Sequence, residues 1–322
     1  MARLGHLLQQ VSGFRSARVR PESPTEAGVT RPTFVTSFFD LHSFRDTPSA
    51  YINSFRLLSR LPNLICYCGT SECAALRAAA EEMTNPPPTV GIATATIGGG
   101  RGRAGGAMNG SAPMFVIARL EETPLWRDHY ERFTAAVRSM FRKPRLSAAE
   151  RRRSQLLRKG GRHVETYIQY MLLTHAKVHW LMRAAASNPY GSEYIVWADA
   201  GLYRYQKHVV GANVDALGCY ATPRARFPID ASSPAWPSRE ESLYLVKPSR
   251  EVLATLMGFN ASYLVNDFGP RYFRRVEELL ARGESSTEQG VLTLMASERP
   301  GEFELVETDN YRYIARKMIN CP

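Results

Sequence analysis

Apolar residues along this chain follow two kinds of spacing. Short unbroken runs of β-branched and aromatic residues, bounded by turn residues, alternate with longer stretches whose apolar positions return every three or four residues. The first run is Thr33-Phe34-Val35-Thr36-Ser37-Phe38-Phe39, ending in Asp40. Pro48 then opens a helix with Tyr51, Phe55, Leu58 and Leu61 on one face, and Pro62-Asn63 stops it. Leu64 to Cys68 is a second strand, so a βαβ unit with a right-handed crossover and a parallel sheet follow. Ser71 caps a further helix through about Met83, Pro86-Pro87-Pro88 breaks it, and a third apolar run spans Thr89 to Ile97.

The same pattern continues beyond a glycine-rich stretch. Trp126, Tyr130, Phe133, Val137 and Phe141 recur at helical spacing after Thr123-Pro124, and Glu165 to Ala186 reads as a long helix. The turn Asn188-Pro189-Tyr190-Gly191 leads into the strand Tyr194-Ile195-Val196-Trp197, which runs into Ala198-Asp199-Ala200-Gly201. Lys207 to Val214 reads as a hairpin arm. Thr222 to Pro237, with its prolines and weak periodicity, reads as a loop. Ser242 to Lys247 reads as a strand, Ser249 to Met257 as a short helix, and Asn260 to Val265 as another strand. A helix from Arg271 to Arg282 is stopped by Gly283. Ser286-Thr287-Glu288-Gln289 starts the helix Val291 to Ala296, and Phe303 to Val306 is a last strand. The expectation is one α/β domain over 33–306, with a mostly parallel central sheet flanked by helices. Residues 1–32 form a basic tail and 307–322 a second tail.

Composition narrows the class. At 322 residues and 44% hydrophobic content the chain can bury a full enzyme-sized core. No apolar run is long enough to span a bilayer and no secretory signal pattern is present. Cys66, Cys68, Cys73, Cys219 and Cys321 lack the paired spacing of a zinc site, so they read as reduced thiols in a cytoplasmic setting. The net charge of +11 is concentrated: Arg138 to Arg162 holds ten Lys or Arg against the single acid Glu150. Such a segment, 138–162, reads equally as a solvated insertion or as a docking surface for a polyanion, including nucleic acid. Gly100 to Gly105 matches G-x-G-x-x-G, but Gly110 and Pro113 follow where a phosphate-binding helix should begin. The 98–113 stretch therefore reads as a surface loop. A nicotinamide or methyl-transfer enzyme has no other support.

Candidate chemistry centres on Asp199. A carboxylate at the carboxyl end of a buried strand lies where the crevices of open α/β sheets bind ligands, and a hard oxygen there suits Mg²⁺ or Mn²⁺ beside a diphosphate. Taken alone, the same Asp more often just caps the following turn. Lys177, inside an otherwise apolar helix, either snorkels to the surface or presents its ammonium to a phosphate. Glu288 and Gln289 either serve as an ordinary helix start or point into the cleft.

In order, Thr36 to Asp40, Tyr51 to Tyr67, Ala176-Lys177, the Asn188-Pro189-Tyr190…Trp197-x-Asp199-Ala200-Gly201 block and Thr287-Glu288-Gln289 resemble the HtrL/YibB family of GT-A-like glycosyltransferases. The resemblance implies a GT-A-like domain that moves a sugar from a nucleotide-sugar donor to an acceptor hydroxyl. It implies that Thr36, Phe38 and Asp40 line the nucleoside pocket, that Asp199 with Trp197 beside it holds Mn²⁺ or Mg²⁺, and that Lys177 neutralises the departing diphosphate. It further implies that Glu288 is the acceptor base or a sugar-binding carboxylate, with Gln289 beside it. Where many GT-A enzymes have Asp-x-Asp, Trp197 replaces the first acid. The alternative from another class is a non-catalytic polyanion-binding protein that uses 138–162.

Overall fold

The computed structural model describes residues 31–41, 48–84, 112–140, 162–205, 222, 224–230 and 252–308. Its centre is a seven-stranded mixed sheet in the order β3-β2-β1-β4-β6-β5-β7. The strands are β1 (Thr33–Phe38), β2 (Leu64–Cys68), β3 (Met114–Ile117), β4 (Tyr194–Ala198), β5 (Ala225–Asp230), β6 (Leu256–Asn260) and β7 (Phe303–Thr308). β6 runs antiparallel to β4 and β5, whereas β1 to β4 are mutually parallel and β7 is parallel to β5. The α/β class expected from the alternation of runs is thus present.

Helices cover both faces. α1 (Pro48–Leu58) and α2 (Thr70–Thr84) lie on one side, where Phe55, Leu58 and Leu76 pack with Phe34, Phe38 and Val196. α3 (Pro124–Met140), α4 (Arg162–Ser187), α5 (Gly269–Ala281) and α6 (Glu288–Glu298) contribute to the other core. There Phe133, Trp180, Tyr272 and Leu292 join Val35, Ile65, Ile195 and Trp197. The split follows the period of two in a strand: Phe34 and Val35, or Val196 and Trp197, must face opposite ways. Fully burying such side chains contributes about 1.5–3 kcal/mol each. Trp180 on α4 is the hub of the second core, stacking with Phe39 at 5.2 Å, Tyr67 at 5.9 Å and Trp197 at 6.4 Å.

Several expected elements fall differently. Ala225–Asp230 is a strand, although it had read as loop. Its Pro228 lies past the two residues that pair with β6, and its buried Arg226 pairs across to Glu304 of β7. Leu256–Asn260 is a strand that begins inside the helix expected over Ser249 to Met257, and most of the strand expected over Asn260 to Val265 is helical instead. The helical run opens at Ala261–Tyr263, makes a π turn at Leu264–Phe268 and continues as α5. The side chain of Asn260 caps it by accepting from the Tyr263 amide at 3.1 Å. β3 follows Pro113, a strand that the spacing had not marked. The Thr89–Ile97 run, the Lys207–Val214 arm and the Ser242–Lys247 strand lie outside the described residues.

The cysteines are not all reduced thiols, contrary to expectation. Cys68 and Cys73 form a disulfide that ties the end of β2 to the first turns of α2. Cys66 is free and buried, and burial pushes its thiol far above the ordinary value, which leaves it unreactive. Among the described residues no helix is long and apolar enough to cross a membrane.

Candidate functional site

The strand order reverses beside β1. From β1 the chain steps outward to β2 and β3, then crosses back to β4 on the opposite flank of β1. At such a reversal of strand order ligands of open α/β sheets commonly bind by the carboxyl ends of the strands. Here β1 leads towards α1, and the turn Leu202–Tyr205 after β4 packs against the same helix, the Tyr203 amide donating to the Ser54 hydroxyl at 3.0 Å. Asp40 follows β1 and Asp199 follows β4, so the two acids singled out from the sequence stand at this edge. Because β6 is reversed, its beginning lies at the same edge, with Leu256 opposite Ala198. The turn before it accepts the Asp199 amide through Thr255 O at 2.9 Å.

The side chains at this edge form one charged cluster. Lys177 projects from the middle of α4, and its Nζ lies 2.9 Å from Asp199 Oδ1 and 3.1 Å from Glu288 Oε1. It also donates to the Ala254 carbonyl at 3.1 Å. An ammonium has three N–H donors, and all three are used. Lys177 therefore has no proton left for a phosphate, contrary to the role expected for it. Trp197 is 1% exposed, so its ring does not face a ligand. Its indole N–H instead donates to Asp199 Oδ1 at 2.7 Å, and the Lys177 ammonium sits 5.6 Å from the ring centre. Both contacts to Asp199 fall on Oδ1, and its side chain remains 27% exposed. Oδ2 is thus unused among the described residues.

Glu288 is 5% exposed, at the first turn of α6. Thr287 caps that turn by accepting from the Gly290 amide at 3.2 Å. Burial alone would raise the Glu288 carboxyl, but the Lys177 ammonium beside it outweighs burial and holds the group below the ordinary range. Burial likewise opposes charge on Lys177, and the two carboxylates overcome it, so the ammonium is held above its usual value. A buried carboxylate kept ionised by a lysine is poorly suited to take an acceptor's proton, and its evident role is to hold Lys177. Gln289, beside it, is half-buried.

Behind this pair stands a second polar contact that sequence reading missed. His175 Nε2 donates to Ser286 O at 2.9 Å, and Nδ1 accepts from the Tyr272 hydroxyl at 2.6 Å, both within the core. This anchors the segment leading into Glu288. Burial pushes His175 below its ordinary 6.5, against the opposing pull of Ser286 and Glu288. A folded-state value below the unfolded one means that the unfolded chain gains the proton first. The stability from neutral His175 is present above 6.5 and is lost as pH falls below it. Thermal unfolding followed from about pH 7 to 5.5 should therefore show a falling midpoint that His175→Gln makes shallower, the rest of the slope coming from His179, which burial and Arg183 push down to about 3. Coincident profiles would remove His175 as the cause.

At the β1 end the expected pocket residues are mostly interior. Thr36 is fully buried, with its hydroxyl unpartnered, and Phe38 is 8% exposed. They face the α1–α2 layer, and the half-buried residues at this end are Ser37, Phe39, Asp40 and Leu41. The Asp40 amide donates to Glu72 Oε1 at 3.1 Å, which ties the exit of β1 to the first turn of α2, beside the disulfide.

No group of three or more His, Cys, Asp or Glu side chains among the described residues is placed to hold a metal ion. The single open oxygen of Asp199 fits a different arrangement: Mg²⁺ and similar ions are commonly held by one or two carboxylates, with substrate phosphates and water supplying the rest. The 138–162 segment contributes only its ends to the described residues, where Arg138 pairs with Glu165. The glycine-rich 98–113 stretch contributes only 112 and 113. Set against known proteins, the sequence matches no protein-family model and no curated protein.

Proposed function

We propose that the protein is a glycosyltransferase of GT-A-like architecture that binds a nucleotide-sugar donor at the carboxyl ends of β1 and β4 and transfers the sugar to an acceptor hydroxyl. The observation that carries this reading is Asp199. It stands at the topological switch point and is anchored through one oxygen by Trp197 and Lys177, while no described residue contacts its other oxygen, which in this reading meets a cation-bound diphosphate. When bound, Mn²⁺ or Mg²⁺ supplies neutralisation of the charge that builds on the leaving diphosphate. Asp199 positions that charge. Trp197 and Lys177 fix its rotamer, and the Lys177–Glu288 pair keeps the edge rigid without spending a proton on the phosphate. In this reading the nucleoside lies on the β1 side of the same edge, by Asp40, which follows that strand.

A thermal-shift screen with UDP-, GDP- and CMP-sugars, with and without Mn²⁺, tests it. One donor class should stabilise the protein by about 2.7 kcal/mol at a hundredfold excess over its dissociation constant, and only when the cation is present. If no nucleotide sugar shifts the transition under either condition, the reading falls.

A further inference from the structure

The Lys177 ammonium stands where a metal ion could stand. Three oxygens from three separate segments surround its Nζ: Asp199 Oδ1 at 2.9 Å, Glu288 Oε1 at 3.1 Å and Ala254 O at 3.1 Å. Two carboxylates and a carbonyl are the hard donor set that Ca²⁺ and Mg²⁺ prefer. These oxygens do not depend on the lysine alone for their positions. The Trp197 indole holds Asp199, Glu288 is carried on the first turn of α6 capped by Thr287, and Ala254 belongs to the backbone that leads into β6. Calcium–oxygen distances are about 2.3–2.6 Å, so a contraction of about half an ångström would convert the cage into a cation site.

We infer that Lys177 is the resident cation of this three-oxygen cage, closing it to free divalent ions. The inference deepens the proposed function and rests on it only for the nature of the incoming ligand. With the cage filled, the described residues offer a free divalent ion the outer oxygen of Asp199 alone, too few ligands to hold it. The three ionised side chains together carry one negative charge, so an unaccompanied diphosphate is repelled as well. The site then accepts cation and diphosphate together and neither one alone.

The cage is tested without any sugar nucleotide, by Tb³⁺ titration of the full chain with tryptophan excitation. Trp197 lies 5.6 Å from the Lys177 nitrogen and sensitises an ion placed there. The parent protein should give little sensitised emission, whereas Lys177→Ala should bind Tb³⁺ at least about tenfold more tightly, with Ca²⁺ displacing it. Adding Asp199→Asn to Lys177→Ala should undo that gain. Equal curves for parent and Lys177→Ala, or an undiminished affinity in the double variant, would overturn the inference. Because Lys177→Ala can lose stability, its thermal midpoint is also followed by circular dichroism. About 5 mM Ca²⁺ should raise the midpoint of the variant and leave the parent's unchanged. Absence of that rise counts equally against the cage. A failed nucleotide-sugar screen would leave these results standing, and a failed cage would leave the screen standing.

Discussion

Asp199→Asn is expected to lower nucleotide-sugar turnover by at least about a hundredfold, or about 2.7 kcal/mol in kcat/KM. The substitution is nearly isosteric. The amide oxygen can still accept from the Trp197 indole, which now donates to Asp199 Oδ1 at 2.7 Å. Lys177 keeps Glu288 and the Ala254 carbonyl. What disappears is the negative charge on the half-open side of the residue, the only feature that draws a cation-bound diphosphate to this edge in the proposed reading. The fold should therefore persist, with a nearly unchanged unfolding transition, while product release from a nucleotide sugar collapses. A variant that retains activity within about threefold of the parent would mean that Asp199 is a structural acid and nothing more.

Lys177→Met should produce the largest loss of stability at the site, about 3–5 kcal/mol. Methionine fills a similar volume, so packing is largely kept, and the cost is electrostatic. Glu288, 5% exposed, is left ionised without a counter-charge, and the Ala254 carbonyl loses its donor. Taking an isolated carboxylate out of water is expensive, and the group would have to take up a proton to persist. Adding Glu288→Gln to Lys177→Met removes that orphaned charge and should recover part of the loss. Urea unfolding of the parent, the two single variants and the double variant gives the coupling directly. A cost below about 1 kcal/mol for Lys177→Met would show that water reaches Glu288 more readily than its burial implies.

The parts of the fold that could be read from the chain were those in which local pattern and burial agree. β1, β2 and β4 are apolar runs buried on both faces, and their lengths and turn boundaries suffice to mark them. β5 was hidden because Arg226 and Pro228 break its apolar run. Both are tolerated only because Glu304 lies across from the arginine and β6 pairing ends before the proline. At Asn260 the strand ends and a helix begins, and the chain was read one element out of step there. The capping signal was present in the residue type, but an Asn followed by β-branched and aromatic residues also suits a strand. Asp199 was legible for the same reason as β4: it is the first polar residue after the run. Its partners were not. Lys177 and Glu288 are 111 residues apart, and the third oxygen belongs to an alanine whose side chain carries no signal. Only the tertiary structure could show that the lysine is already occupied.

The bridge between Cys68 and Cys73 spans five residues. Closing so short a ring removes about 2 kcal/mol of chain entropy from the unfolded state, a modest share for a domain of this size. Its leverage is therefore local: it braces the helix turn whose Glu72 accepts the Asp40 amide. Material prepared under reducing conditions would keep its fold yet present a slacker rim beside the site, and the choice of expression compartment becomes part of what any affinity measured there reports.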